Sequence, residues 1–297
     1  MTLDQLRIFI AVAEREHISR AAEYLNLTQS AVSGAIQALE RRHQVSLFNR
    51  IGRRIEITRE GKVFLEEARI VVRSAQDAEL ALVDLAGVKR GIINLHASQT
   101  ICSYWLPKHI VRFHKTYPRV EVRLSIGNTA QVAAAVIAGS SELGFIEGLV
   151  DEPKLNIQQI DEDQLVIVAS TKEARAPRQR IKASQLQSMS WVLRERGSGT
   201  RSAFEAAVAR LGMRPDQLDV ALELPSNEAV CAAVEAGVGA TAISFAVAKS
   251  RIQHGSLRIV PFETLKRPFM ILWYRDRKLS RAAQAFIENL KAGVRTS

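Results

Sequence analysis

Apolar residues recur along this chain in two rhythms. Up to about residue 85 they return every three or four positions, the spacing of one helix face; beyond residue 91 short alternating runs take turns with helical stretches. Leu6, Phe9, Ile10 and Ala13 predict a first helix within 3–14. A second is expected over 19–25, with Ser19 as its N-cap and Ala21, Ala22 and Leu25 for close packing. Asn26 and Leu27 then predict a turn, and Thr28 a cap for a third helix.

On that third helix Val32, Ala35, Ile36 and Leu39 form an apolar stripe, while Ser30, Ser33, Gly34 and Gln37 repeat the spacing on the other side. The second face is small, polar and free of charge until Glu40, unlike the Lys- and Glu-rich face of a solvated helix. Short donors and acceptors at close-approach positions suit the major groove, where base edges present hydrogen-bonding patterns. The order is that of a helix-turn-helix whose second member reads DNA, although an ordinary helical hairpin shares these features. Residues 47–58 shift the balance. Arg53, Ile55 and Ile57 alternate beside Gly52 as in a two-stranded wing, which sets Arg50, Arg53 and Arg54 beside the reading helix, where guanidinium groups clamp phosphates. From Arg41 to Lys62 there are seven Lys or Arg against two acidic residues.

After the wing, Thr58 caps a long segment that has no Pro or Gly between Gly61 and Gly87. Phe64, Ala68, Val71, Ala75, Ala78, Leu82 and Leu85 recur at alternating steps of four and three, a heptad seam that predicts a partner helix and a dimer. An amphipathic helix packed on its own domain is the competing reading. Gly87 to Gly91 reads as a linker. Beyond it, strands at 92–97, at alternating Val120, Val122, Leu124 and Ile126, and at 143–146 enclose helices at 103–117 and 129–138. A second set starts at 165–169, with strands at 191–193, 220–222 and 240–243 and helices at 200–211 and 227–236; strand 269–274 and helix 280–290 come last. This order predicts an α/β fold with a mostly parallel sheet and helices on both faces.

Residues 1–61, through Leu6-Arg7-Ile8-Phe9, Ser19-Arg20-Ala21-Ala22, Thr28-Gln29-Ser30-Ala31-Val32-Ser33, Leu39-Glu40 and Leu47-Phe48-Asn49-Arg50, resemble the winged helix-turn-helix of the LysR-type transcriptional regulators. Ile57 departs from the Leu more usual there. The resemblance implies a DNA-binding domain at 1–58, a dimerisation helix and hinge at 59–90, and a periplasmic-binding-protein-like effector domain at 91–297. In that domain one subdomain comprises 91–161 and 267–297, and the other 162–266. It also implies a homodimer or homotetramer on promoter DNA, reading with Gln29, Ser30, Ser33 and Gln37, with RNA polymerase as a further partner.

Two loops hold the candidate effector chemistry. Ser98 and Thr100 follow the first strand; Ser198, Gly199, Thr200 and Arg201 follow a later one and open a helix. Hydroxyls and free N–H groups at a helix start accommodate an anion, and Arg201 offers a full charge. Plain N-capping is the bland reading of each loop, but both lie at strand ends facing the predicted cleft. Residues 97–107 with Gly197-Ser198-Gly199-Thr200-Arg201 resemble the branch of the family that regulates sulphur assimilation and carbon dioxide fixation, which implies a small oxyanion or phosphorylated metabolite.

The net charge of +10 alters this picture little. Fourteen basic and twelve acidic residues lie up to Arg90, so eight of the ten surplus charges fall in the later part. DNA recognition therefore rests on the local cluster near the wing. Two cysteines, Cys102 and Cys231, suit a reducing compartment and read as packing residues, and no run of roughly 20 apolar residues exists to span a bilayer. The cytoplasm is the expected location. His96, His109 and His114 lack metal-ligand spacing, and no nucleophile, base and orienter series or cofactor signature stands out. A clamshell solute receptor, or an enzyme using the Gly197 to Arg201 loop as an anion cradle, is the alternative.

Overall fold

The computed structural model describes residues 1–51, 54–85, 91–148, 150–172, 181–262 and 265–294. Contacts divide the chain into two units, Met1–Ala86 and Gly87–Ser297.

In the first unit α1 (Leu3–Arg15) is closed by a capping box at Thr2 and Gln5. Next come α2 (Ile18–Leu25) and α3 (Gln29–His43). Asn26, in the left-handed region, ends α2, and the Thr28 hydroxyl accepts from the Ala31 N–H at 3.2 Å to start α3. The cap of α2 differs from expectation: it is His17, without a side-chain bond, and Ser19 lies inside the first turn. The helix begins one residue early because Ile18 joins the packing around Phe9, Val12, Ala21, Ala22, Val32, Ile36 and Leu39. Strands β1 (Phe48–Ile51) and β2 (Arg54–Ile57) pair antiparallel, with Phe48 opposite Ile57 and Ile51 opposite Arg54. Glu40 fastens this wing to α3, accepting from Leu47 N at 2.8 Å and Phe48 N at 3.2 Å.

Helix α4 (Arg59–Leu85) starts at Thr58, whose hydroxyl accepts from Gly61 N at 2.9 Å and donates to the Ser46 carbonyl at 2.8 Å. Gly61 lies so close under the wing entry that a Cβ would sit 2.2 Å from the Leu47 carbonyl oxygen. The expected heptad seam is corrected in its first two members. Phe64 packs against Phe9 with ring centroids 4.9 Å apart, and Ala68 is buried in the same core, because α4 must cover α1 before any partner is met. Ala75 is half-buried, and Val71 and Ala78 are exposed; the side chains of Leu82 and Leu85 lie outside the described residues.

The second unit is built on one sheet. Its elements are β3 (Gly91–Ser98), a π-helical turn (Ile101–Trp105), α5 (Leu106–Thr116), β4 (Val120–Gly127), α6 (Thr129–Ala138), β5 (Leu143–Glu147) and β6 (Leu155–Ser170), followed by β7 (Ser190–Arg194), α7 (Gly199–Arg210), β8 (Asp219–Leu224), α8 (Asn227–Glu235), β9 (Ala240–Ser244), α9 (Phe245–Gln253), β10 (Leu257–Ile259), β11 (Leu265–Tyr274) and α10 (Arg281–Val294). Strand order is β4-β3-β5-β11-β6-β9-β7-β8, with β10 on β6. The expected mostly parallel sheet is corrected to a mixed one. β3 is parallel to β4 and β5, and β7 to β8 and β9, while β11 and β6 run antiparallel to each other and to their neighbours.

β6 and β11 pair along their length and belong to both halves. One half has its core around Ile93, Leu95, Phe113, Phe145, Ile271 and Phe286; the other has cores around Trp191, Phe204 and Leu265 and around Val168, Val230 and Ile243. Val132, Val136 and Leu272 form a further cluster that seats α6 on the opposite face of the first half. The parallel strands of both halves end at one line of loops: after Ser98, Gly127 and Glu147 on one side, after Arg194, Leu224 and Ser244 on the other.

Candidate functional site

On α3 the apolar stripe is inward and the small polar face outward. Val32, Ile36 and Leu39 are at most 4% exposed, whereas Gln29, Ser30, Gly34 and Gln37 are exposed and Ser33 is half-buried. Nothing lies within 4 Å of where a Gly34 Cβ would stand. The face is therefore an open helical surface of short hydrogen-bonding groups with no acidic side chain until Glu40. Arg50 and Arg54 lie on the wing strands, and their side chains, like all of Arg53, lie outside the described residues.

In the second unit the strand-end loops meet around one buried arginine. Arg267, on β11 and 2% exposed, donates through Nε to Asp163 Oδ2 at 2.8 Å and through Nη1 to Thr200 Oγ1 at 2.9 Å. Its Nη2 lies 3.4 Å from Thr100 Oγ1 and 3.8 Å from Glu147 Oε1. Register sets this up, since Arg267 and Asp163 are direct partners on β11 and β6. A charge so enclosed needs both a counter-ion and filled donors, and Asp163 with two threonine hydroxyls supplies them. Ser244 Oγ completes Asp163 at 2.8 Å.

The network continues outward. Asn227 Nδ2 donates to Thr100 Oγ1 at 3.2 Å, and its Oδ1 accepts from Arg194 Nη1 at 2.7 Å. Arg194 is 5% exposed and presents Nε and Nη2 side-on to Glu195, at 2.8 and 3.0 Å. Glu195 Oε1 then accepts from Asn128 Nδ2 at 3.3 Å, across from the other half. The Gly197 carbonyl accepts from Ala130 N at 3.3 Å, and Gln99 bridges Asn227 N (2.7 Å) and Glu228 (2.8 Å). A Gly199 Cβ would stand 2.5 Å from the Glu147 carbonyl oxygen and 2.6 Å from Thr129 Oγ1, so glycine is what lets α7 approach the first half. Beside these contacts lies a cavity of about 290 Å³ lined by Gln99, Ile126, Gly127, Asn128, Gln131, Arg194, Glu195 and Pro225.

Of the residues expected to face an effector, Thr100 and Thr200 are brought onto one guanidinium. Ser98, 2% exposed, is buried with its hydroxyl unpartnered, and Ser198 and Gly199 are buried at the start of α7. Arg201 is corrected. Its guanidinium is held by Glu205 at 2.7 Å, by Glu223 and by the Arg194 carbonyl at 3.1 Å, with both carboxylates on α7 and β8. Its charge is paired within its own half, while Arg194 and Arg267, likewise ion-paired, lie where the two halves meet. Both were missed because each stands at the edge of an apolar run among other charges, Arg194 after Trp191-Val192-Leu193 and before Glu195-Arg196, and Arg267 between Lys266 and Pro268-Phe269-Met270.

Of the other singled-out residues, Cys231 and His109 are buried packing groups. Cys231 is buried and its thiol is pushed up to about 11 by burial; Cys102 is shifted upward for the same reason, so neither is an activated thiolate. His109 stacks on Trp105 at 4.1 Å, His96 is half-buried and His114 exposed. Among the described residues no helix is long and apolar enough to cross a membrane.

An open helix-turn-helix face in one unit and a two-halved cleft with buried hydroxyls and cations in the other define a DNA-binding regulator with a small-molecule sensor. The particular family follows. Residues 3–62 match the bacterial regulatory helix-turn-helix proteins of the lysR family and residues 86–295 the LysR substrate binding domain, so the chain belongs to the LysR-type transcriptional regulators. It is 34% identical over 292 residues to the uncharacterized HTH-type transcriptional regulator YeiE of Escherichia coli K12, covering 97% of this chain and 96% of that protein. It is 30% identical to CysL of Bacillus subtilis (100% and 99% covered) and 31% identical to a probable RuBisCO transcriptional regulator of Trichormus variabilis (97% and 87%), relatives of the branch that the cleft loops resemble. Among solved structures, the Synechocystis CcmR regulatory domain in complex with 2-PG aligns at 27% identity and TM-score 0.62, over 69% of this chain and 97% of that one.

Proposed function

We propose that the chain senses a small oxyanion or phosphorylated metabolite between the halves of its second unit and passes that state to the DNA reader. The observation that carries this reading is the meeting of Thr100 and Thr200, one from each half, on buried Arg267; Ser98, two residues before Thr100, has a buried hydroxyl without a partner among the described residues. A buried hydroxyl without a partner is costly unless something fills it, and an anion at strand and helix ends does so. The relative CcmR is solved with 2-PG, an anion of this class. In this reading Ser98, Thr100, Ser198, Gly199 and Thr200 hold the effector and Arg194 with Arg267 supply charge, while Ser30, Ser33 and Gln37 read bases and Arg50, Arg53 and Arg54 hold phosphates.

Copies associate through the face of α4 that its own domain leaves open, where Val63, Ile70 and Val71 are 66, 50 and 41% exposed. The protein works in the cytoplasm and turns nothing over: its charged cleft residues are engaged with one another as structural pairs. Ligand acts by binding two assembly states with different affinity, since equal affinity shifts nothing.

The test is thermal unfolding of the full-length protein in chloride buffer against sulfate, phosphate and 2-PG at constant ionic strength. An anion at about a hundred times its Kd stabilises by roughly 2.7 kcal/mol, and Thr100→Ala with Thr200→Ala removes the gain. A panel that leaves the wild-type midpoint where chloride leaves it removes the reading.

A further inference from the structure

The Glu195 carboxylate is held as an external ligand would be. Two parallel N–H···O bonds reach it from Arg194, Nε to Oε2 at 2.8 Å and Nη2 to Oε1 at 3.0 Å, and the Asn128 amide adds a third at 3.3 Å from the opposite half. The two donors belong to elements that end at the cleft, Arg194 at the end of β7 and Asn128 just before α6. The cradle is rigid on both sides. Arg194 is 5% exposed and its remaining nitrogen is fixed by Asn227, while Asn128 is held as the N-cap of α6 through Gln131 N at 3.0 Å. Glu195 is the loose member, with a quarter of its side chain exposed (24%) and the cavity of about 290 Å³ at its side. A fork with Nε and Nη2 side by side matches two oxygens of one carboxylate, sulfate or phosphate group.

We infer that Arg194 and Asn128 form an oxyanion cradle of this chain and that Glu195 is its built-in occupant, a tethered carboxylate that bridges the two halves until an effector's anionic group displaces it. The inference rests on the anionic-effector reading above and adds to it the residues that bind the charged end and the group that competes for them. It makes two demands on the ligand. Its anionic end presents two oxygens to Arg194, and it is small enough for the cavity left when Glu195 swings into solvent. Neutral ligands fail the first demand, since they leave the carboxylate in place.

The experiment is isothermal titration of the full-length protein with sodium sulfate, with sodium acetate as the planar probe, in chloride buffer of fixed ionic strength. Three proteins are compared: wild type, Glu195→Gln and Asn128→Asp. Glu195→Gln keeps shape and removes the competing charge, and it is expected to bind at least about fivefold more tightly, a shift of about 1 kcal/mol or more. Asn128→Asp keeps the helix cap but turns the amide donor into a second carboxylate, and it is expected to bind more weakly than wild type. Circular dichroism on each variant verifies folding, and both positions reach solvent. Anion binding that is equal in wild type and Glu195→Gln overturns the inference while leaving the anionic-effector reading standing. Absence of binding in all three overturns both.

Discussion

The Arg267–Asp163 pair gives the sharpest energetic test. Arg267→Met removes a buried guanidinium, leaves Asp163, 8% exposed, with the Ser244 hydroxyl as its partner among the described residues, and takes the cation from buried Glu147; the Thr100 and Thr200 oxygens lose their shared donor as well. Breaking a buried pair by deleting one partner costs about 3–5 kcal/mol, because the survivor is an uncompensated charge. With an m-value of about 2–3 kcal/mol/M, that moves the urea midpoint down by roughly 1–2.5 M. Asp163→Asn leaves the arginine facing Glu147 at 3.8 Å and is expected to cost less than Arg267→Met. The double variant Arg267→Met/Asp163→Asn removes both charges of the pair and leaves buried Glu147 without its cation, so it is expected to lose about 1–2 kcal/mol less than the sum of the singles. Tryptophan fluorescence is the assay, since Trp105, Trp191 and Trp273 all lie in the second unit and report its unfolding within the full chain. Additive losses, or a cost below about 1 kcal/mol for Arg267→Met, would refute the view that this pair holds the cleft together.

Further outcomes follow from other sites. Burial first, then Lys108 and Arg112, push His109 down to about 4 despite the opposing charge of Asp161, so it is neutral in the folded unit. Between the unfolded pKa of about 6.5 and the folded value only the unfolded chain takes up the proton, so stability falls as pH drops through that window, by at most about 3 kcal/mol. His109→Phe should flatten that part of the urea-midpoint profile between pH 7 and 4.5; an unchanged slope sinks the assignment. Gly199→Ala gains helix propensity of about 1 kcal/mol but forces a Cβ against the Glu147 carbonyl oxygen at 2.5 Å, a clash worth about 1–3 kcal/mol, so a lower melting temperature is expected and a higher one contradicts the close approach. Val71→Glu places a charge on the open face of α4 and is expected to weaken self-association in light scattering with α-helix content unchanged; assembly of unaltered mass points to another interface.

Much of this was readable in the chain, and the limits have physical causes. The face of Ser30, Ser33, Gly34 and Gln37 was legible because one helix must bury Val32, Ile36 and Leu39, which leaves only one side to present. Thr28 was legible as a cap, but Ser19 was not refuted by any local signal, since the start of α2 is decided by where Ile18 packs. The seam along α4 misled at Phe64 and Ala68 because an a/d pattern does not say whether the covering partner is another copy or the domain's own α1. Strand β6 was read only at its apolar end, 165–169. Its first ten residues run through Asn156, Gln158, Gln159, Asp161, Glu162, Asp163 and Gln164, and they are extended because β11 pairs with them. The same pairing explains why the sheet is mixed and why Arg267 escaped notice: its counter-ion is 104 residues away and meets it only through antiparallel register. The loops at Thr100 and Thr200 were legible as helix starts, whereas their convergence on a single guanidinium was not.

In the proposed function the small polar face of α3 reads base edges and the wing holds the backbone. Selection of bound duplexes from a random pool by the full-length protein, followed by salt-dependent affinities of wild type, Gln37→Ala and Arg53→Ala on the selected and on scrambled duplexes, tests it directly. Gln37→Ala is expected to lose about 1–3 kcal/mol on the selected duplex alone, and Arg53→Ala to weaken both equally and lower the salt slope by about one. Equal losses on selected and scrambled DNA for Gln37→Ala would contradict it.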